Sequence, residues 1–73
     1  MARNIVRVLP HEREWEITLN KSREAIYGVK ATAIDKAVEL AKKNQPSQLL
    51  IHRADGTIED ERTYGDDPYP PKG

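Results

Sequence analysis

A single stretch of the chain has the apolar spacing of a helix, and a proline follows it closely. Apolar side chains at positions 34, 37, 38 and 41 recur at helical intervals and therefore share one face. Lys42 and Lys43 suit the negative end of the helix dipole, and Pro46 prevents the helix from continuing. Thr32 and Asp35 match the T-x-x-D capping pattern. The sequence predicts a helix over about residues 32–43, with an earlier start by three residues as an alternative.

Segments on both sides of this helix have the patterns of β-strands. Residues 4–9 are rich in β-branched side chains, and residues 14–20 alternate between apolar and polar side chains. After the helix, an Asp-Gly turn signal joins strands predicted at residues 48–52 and 57–64. Residues 25–29 favour a short third strand, with the start of the helix as the alternative.

Together these elements predict an α+β fold. We expect a small two-layer sandwich in which one amphipathic helix covers one face of an antiparallel sheet of four to five short strands, in the order β-β-(β)-α-β-β. Trp15, Ile17 and Leu19 are expected to meet the helix, and the other face to be solvated and rich in glutamate. Residues 1–65 are expected to form a single domain, and residues 66–73 a proline-rich tail.

The composition narrows the classes of function. The chain has 73 residues, of which only fifteen are Ile, Val or Leu, so its core is small. Twelve basic and twelve acidic residues cancel, which argues against a strongly basic stripe for a phosphate backbone. The sequence lacks cysteine, a signal peptide and an apolar run long enough to cross a bilayer. These features favour a cytoplasmic protein with no contact to membranes.

Catalytic and metal-binding patterns are weak. The serines, Ser22 and Ser47, do not lie in a Gly-x-Ser-x-Gly turn, and a pair of His52 with Asp55 across a turn is the nearest arrangement to a catalytic one. The acidic residues 59–61 and 66–67 are better explained as a solvated edge that discourages strand pairing than as a cation site. We therefore expect a non-enzymatic protein without a metal or another cofactor.

The C-terminal segment is the most distinctive part of the sequence. Its tyrosines and prolines make a stiff chain that loses little entropy on docking, as do proline-rich segments bound in aromatic grooves. The leading prediction is a protein-interaction or regulatory module with an unidentified protein partner. Its expected contact residues are Arg62, Tyr64, Tyr69, Pro70, Pro71 and His52. In the structural alternative, Tyr64 and Tyr69 fold back onto the core.

Nucleic-acid binding by the N-terminal hairpin is the alternative function. The order of strands and helix distantly resembles the DNA readers built from a three-stranded sheet and one helix, such as the ethylene-response type of plant transcription factor and phage integrase arm domains. Glu14 and Glu16 would face the groove with the wrong charge. The candidate contacts are Arg7, Arg13, Arg23 and Lys30.

The oligomeric state follows from the outer strands. Residues 4–9 or 57–64 are predicted as outer strands that can pair with a second copy, but the acidic residues 59–61 oppose pairing of the second of these. A monomer is favoured over a homodimer.

Several segments also resemble a family of short bacterial proteins known only as a domain of unknown function, number twenty-one eighty-eight. The resemblance lies in residues 49–58, in Arg62-Thr63-Tyr64-Gly65, and in Asp67-Pro68 with Pro70-Pro71-Lys72-Gly73. The helix at residues 33–43 and the segment from Val8 to Trp15 fit it as well. The resemblance implies a compact α+β domain in small bacterial or phage-associated proteins, and it implies no activity.

Overall fold

The computed structural model describes residues 3–65, which form five strands and one helix. The elements are β1 (Asn4–His11), β2 (Glu14–Leu19), β3 (Ser22–Tyr27), α1 (Lys30–Lys43), β4 (Ser47–His52) and β5 (Ile58–Tyr64). The predicted α+β class, with one helix on a sheet of up to five strands, is confirmed. The predicted tail at residues 66–73 lies outside the described residues.

The five strands form one sheet in the order β3-β2-β1-β4-β5. The pairs joined by short turns, β1 with β2, β2 with β3 and β4 with β5, are antiparallel. β1 and β4 pair in parallel, because α1 carries the chain back across the sheet before β4 begins. The sheet is mostly antiparallel, as predicted, with one parallel pair that the sequence analysis did not anticipate.

β1 lies at the centre of this sheet, with β2 on one side and β4 on the other. The expectation that residues 4–9 form an outer strand is therefore wrong. The crossover through α1 places β4 against the free side of β1, so the edges of the sheet are β3 and β5. Residues 58–64 do form an outer strand, as expected.

The segment between β2 and α1 is a strand, and its end fixes the start of the helix. The favoured strand is present, but it spans Ser22–Tyr27 and ends before Gly28. α1 begins at Lys30, and Val29 takes the N-cap position in extended backbone without a side-chain hydrogen bond. The predicted Thr32 cap is wrong, because Thr32 lies within the helix. The earlier start lets Lys30 form an ion pair with Glu59.

The core lies between α1 and one face of the sheet. Three alanines spaced four residues apart, Ala33, Ala37 and Ala41, are fully buried on the inner side of the helix. They meet the buried branched side chains of the central strands, which are Val6, Val8, Ile17, Leu49 and Ile51. Trp15 and Leu19 pack at the margin of this cluster, so the predicted contact of the β2 apolar side chains with the helix is confirmed. The alanines leave the helix backbone close to the sheet.

Polar groups close the C-terminal end of α1 and set the start of β4. The Asn44 backbone N–H donates to the Ala41 carbonyl, and the Asn44 side chain donates to the Leu40 carbonyl at 2.8 Å. The buried Ser47 hydroxyl also donates to the Ala41 carbonyl, at 2.6 Å. The last turn of the helix is thereby satisfied and held against the central strands.

Candidate functional site

The face of the sheet away from α1, here called the open face, is the largest surface that the fold leaves uncovered. Within residues 3–65, no second helix or strand packs on it. Its side chains come from alternate positions of the strands, as the registers of the four strand pairs show. They are Ile5, Arg7, Leu9, His11, Glu14, Glu16, Thr18, Arg23, Ile26, Gln48, Leu50, His52, Ile58, Glu61 and Thr63.

The centre of the open face is buried although no layer covers it. Thr18 is 6 % exposed, and Leu50 and His52 are each 7 % exposed. Central positions of a five-stranded sheet have neighbours on both sides, and the stems of long charged side chains cover apolar surface. The expected solvated, glutamate-rich face is therefore present at Glu14, Glu16 and Glu61, but its centre is drier than expected.

Arg7 stands at this centre, on the middle strand. It is paired in register with Thr18 on β2 and with Leu50 on β4. Its Nη1 lies 3.5 Å from Nε2 of His52. Within the described residues, no carboxylate lies within 4.0 Å of the Arg7 guanidinium, whereas Arg23, Lys30 and Arg62 each have one. Arg7 is thus a partly buried cation without an anionic partner.

His52 is fixed by the turn that follows β4. Its Nδ1 lies 2.9 Å from the Gly56 carbonyl oxygen, which can only accept a hydrogen bond, so Nδ1 carries the hydrogen. In the neutral ring Nε2 is then an acceptor, and it faces Arg7. The suggested pair of His52 with Asp55 is not formed, because the Asp55 carboxylate accepts from the backbone and the hydroxyl of Thr57.

These two hydrogen bonds stabilise the charged form of Asp55. The Thr57 hydroxyl is the main cause and the Thr57 backbone N–H the second, and together they hold the pKa of the Asp55 carboxyl below its ordinary value of 3.8. Gly56 lies in the same turn with a φ of 91°, a backbone conformation that favours glycine. The turn therefore presents the Gly56 carbonyl to His52.

The Thr18 hydroxyl is the second unusual group on the open face. Among the residues that the structure describes, Thr18 Oγ1 is the buried side-chain polar atom without a hydrogen-bond partner. A buried hydroxyl left unpaired costs about 1–3 kcal/mol. An unpaired hydroxyl and a cation without a carboxylate thus lie on neighbouring strands.

A shallow hollow adjoins Arg7 at the end of the open face where β1 begins. Its volume is about 210 Å³, and it is lined by Ile5, Arg7, Asn20 and Lys21. The Asn20 amide is held by Ile5 and Asn4, so it forms a fixed wall. Of the side chains in residues 3–65, two cationic ones and no acidic one line this hollow.

The residues predicted to contact a protein partner fall on different surfaces. His52 lies on the open face, whereas Arg62 and Tyr64 lie on the helix side of β5, opposite Leu49 and Ser47. Tyr64 packs against the core, and Lys42 Nζ lies 5.9 Å from its ring centre. Hydrogen bonds to Tyr64 and Asp60 raise the pKa of Arg62 above its ordinary value. Tyr69, Pro70 and Pro71 lie outside the described residues.

The residues predicted to contact nucleic acid are also dispersed. Arg7 and Arg23 lie on the open face, but Arg23 donates to Glu16 at 2.7 Å. Arg13 lies in the turn between β1 and β2. Lys30 lies on the helix side, with its Nζ 4.7 Å from the ring centre of Trp15. The four cations do not form one surface.

Residues 3–65 were also compared with the requirements of a metal site and of a membrane-spanning helix, and they meet neither. In that part of the chain, no group of three His, Cys, Asp or Glu side chains is close enough to hold a metal ion. The one helix it contains is neither long nor apolar enough to cross a membrane.

Comparison with known proteins shows the protein family to which the chain belongs. The chain belongs to a family described as an uncharacterized protein conserved in bacteria (DUF2188), whose model matches residues 6–64 and so confirms the resemblance seen in the sequence. It is also similar to uncharacterized protein YycD of Bacillus subtilis (strain 168), with 38 % identity over 45 residues, or 62 % of this chain and 68 % of that protein. No solved structure matches the chain. The matched residues end at Tyr64, so Asp67-Pro68 and Pro70-Pro71-Lys72-Gly73 lie beyond them.

Proposed function

We propose that the chain is a non-enzymatic binding module whose open face docks a protein partner. The observation that carries this proposal is the apolar strip that crosses the open face. It is formed by the exposed Ile58 and the half-buried Ile5 and Leu9 around the buried Leu50, and no other described element packs on it. Apolar surface of this kind, rimmed by charged side chains, is typical of protein-interaction sites.

The charges of the open face favour a protein over a nucleic acid. Glu14, Glu16 and Glu61 lie on this face, and Glu16 already binds one of its two arginines, Arg23. A phosphate backbone would meet these carboxylates at close range, and cations that neutralise phosphates are what nucleic-acid affinity requires. A protein surface of mixed charge meets no such repulsion.

The engaged histidine and serine support binding rather than catalysis. Both ring nitrogens of His52 face neighbours, the Gly56 carbonyl and the Arg7 guanidinium. The Ser47 hydroxyl is buried and donates to the helix backbone. A general base needs a free nitrogen near its substrate, and a nucleophile needs an accessible oxygen. Neither group meets that need in this arrangement.

The proline-rich tail is a second proposed contact, distinct from the open face. Tyr69, Pro70 and Pro71 follow β5, whose Arg62 and Tyr64 face the helix side of the sheet. A version of the chain that ends at Gly65 separates the two surfaces.

Two exposed apolar residues provide a matched test. Among residues 3–65, the large apolar side chains that are clearly exposed are Ile58 (43 %), which pairs with His52 on the open face, and Val29 (60 %), at the helix N-cap. Ile58→Lys should abolish capture of a specific protein from nuclease-treated lysate of the bacterial source. Val29→Lys should leave the capture unchanged, because the same chemical change falls outside the open face.

Each other outcome points to a different answer. Equal capture by the two variants contradicts docking on the open face. Loss of the captured material on nuclease treatment favours nucleic acid, and loss only in the version ending at Gly65 favours the tail. Sedimentation of the purified protein as a dimer that Ile58→Lys dissociates identifies the occupant as a second copy.

A further inference from the structure

We infer that the hollow between Arg7 and Lys21 binds a carboxylate side chain of the protein partner. This inference rests on the proposed function, because it names the chemistry that anchors the partner to the open face. The hollow has a volume of about 210 Å³, which is space enough for an acidic side chain, and it opens beside the apolar strip at Ile5.

The charge balance of the hollow calls for an anion. Arg7 and Lys21 line it together with Ile5 and Asn20, and no acidic side chain of residues 3–65 does. Two other arginines of the sheet have carboxylates of their own: Arg23 has Glu16 and Arg62 has Asp60. The acceptor facing Arg7 is the His52 ring nitrogen, at the long distance of 3.5 Å.

When a partner docks on the open face, the lack of a carboxylate beside Arg7 becomes energetically costly. In the free protein the half-buried Arg7 guanidinium is accessible to water, which can accept from its remaining N–H donors. A partner that covers the apolar strip removes that water, and a desolvated cation is costly unless the partner provides an acceptor. A carboxylate is the side chain that fits a guanidinium with two parallel hydrogen bonds. The site therefore selects partners that carry an acidic residue next to apolar ones.

His52 acts as a positioning residue for this anchor. Its Nδ1–H is held by the Gly56 carbonyl, so its Nε2 offers a fixed acceptor to one side of Arg7. The neighbouring Thr18 hydroxyl has no partner of its own. The His52 contact holds the guanidinium at the middle of the face, where its other donors are left for a ligand.

The acidic residues of the open face favour a protein carboxylate over a chain of phosphates as the bound anion. Glu14, Glu16 and Glu61 share the open face with Arg7, and they would repel a chain of phosphates. A single carboxylate can enter the hollow without approaching all three. The anion is therefore assigned to an Asp or Glu side chain of a protein.

The test uses short peptides and the intact protein. Acetyl-Leu-Glu-Leu-amide is titrated into ¹⁵N-labelled protein, and acetyl-Leu-Gln-Leu-amide, which lacks the charge, is its control. The Glu peptide should produce saturable shifts of the Arg7 side-chain Nε–H signal and of the Ile5 and Lys21 amide signals. The Gln peptide should bind about tenfold more weakly, the difference expected for a charge-assisted hydrogen bond.

Two variants test whether Arg7 is the residue that binds the Glu peptide. Arg7→Gln should reduce the affinity for the Glu peptide about tenfold. Arg13→Gln, a change of the same kind in the exposed turn, should leave it unchanged. Equal binding of both peptides, no saturable shift with the Glu peptide, or an equal loss in both variants overturns the inference. The peptide comparison on the unmodified protein decides the question even if Arg7→Gln does not fold.

Two further arms separate this inference from the proposed function. Inorganic phosphate that binds as tightly as the Glu peptide reassigns the hollow to phosphate and overturns the carboxylate. If the peptides fail while capture still depends on Ile58, the open face remains a docking surface and only the carboxylate anchor is wrong. If capture does not depend on Ile58, the proposed function fails first.

Discussion

The Thr18 hydroxyl is buried on the open face without a partner, and valine has the same shape without the hydroxyl. We expect Thr18→Val to raise the free energy of unfolding by about 1 kcal/mol, because it removes an unsatisfied polar group and places a β-branched side chain in a strand. Urea denaturation measures this change. Thr63→Val, at an exposed position of β5, is the control and should change stability by less than about 0.5 kcal/mol.

A loss of stability in Thr18→Val would show that the hydroxyl has an acceptor in solution. The description of Thr18 as an unsatisfied group would then be wrong, and Arg7 would be the one unusual group left on the open face.

Asp55 gives the turn after β4 a dependence on pH. Its folded pKa is lowered, chiefly by the Thr57 hydroxyl, so the stabilisation that it contributes is complete above the unfolded pKa and is lost as the pH falls through the lower folded pKa. Thr57→Val removes the main cause and should raise the pKa of Asp55 towards 3.8. An NMR titration of the Asp55 carboxyl measures the shift.

Thr63→Val serves as the control here too, since Thr63 lies at the far end of β5 from this turn. An Asp55 pKa that does not change in Thr57→Val would mean that the turn is open in solution, and His52 would then lack the fixed Gly56 carbonyl that orients it.

Arg7 was visible in the sequence as a charge within a β-branched strand, and it was one of the four nucleic-acid candidates. Its surroundings were not visible. His52 lies 45 residues further along the chain, and a pattern within one strand contains no information on which distant residue will lie beside it. The predicted pair of His52 with Asp55, which are close in sequence, was wrong because of a local contact. The Asp55 carboxylate accepts a hydrogen bond from the Thr57 hydroxyl instead.

The helix packs on the sheet through alanine, and this makes its inner side sensitive to size. Ala37 is fully buried against the sheet, whereas Ala31, the second residue of the helix, is exposed. Ala37→Leu should lower the free energy of unfolding by about 1–3 kcal/mol, since a close-packed core has no room for three more carbons. Ala31→Leu is the matched control and should have little effect, because both residues are good helix formers.

Thermal or urea denaturation of the two variants decides the point. If Ala37→Leu is as stable as Ala31→Leu, the helix does not approach the sheet as closely as its buried alanines require.

The two ends of α1 show what a local pattern can and cannot predict. Its C-terminal end was predicted correctly, because Asn44 and Pro46 act through the backbone of their own segment. Its start at Lys30 lies two residues before the favoured start and close to the earlier alternative. There Lys30 contacts Glu59 and Trp15, which a local capping pattern at Thr32 does not reveal. The strands, like the C-terminal end of the helix, were predicted from local signals, such as the alternation of apolar and polar side chains.

The order of the strands in the sheet could not be predicted from the sequence. The crossover through α1 makes β1 the central strand and pairs it in parallel with β4, and this turns one charged residue of β1 into the centre of the open face. The fold class followed from the type and order of the elements alone. The open face exists because residues 3–65 contain one helix, and that helix covers one side of the sheet.

The most direct measurement is a photo-crosslink in living cells of the bacterial source. A photoreactive phenylalanine analogue replaces Ile58 on the open face in one version and Lys36, an exposed position on the helix, in the other. Docking on the open face predicts a protein adduct of one defined mass from position 58 and none from position 36. Adducts of equal yield from both positions, or from position 36 alone, would contradict it.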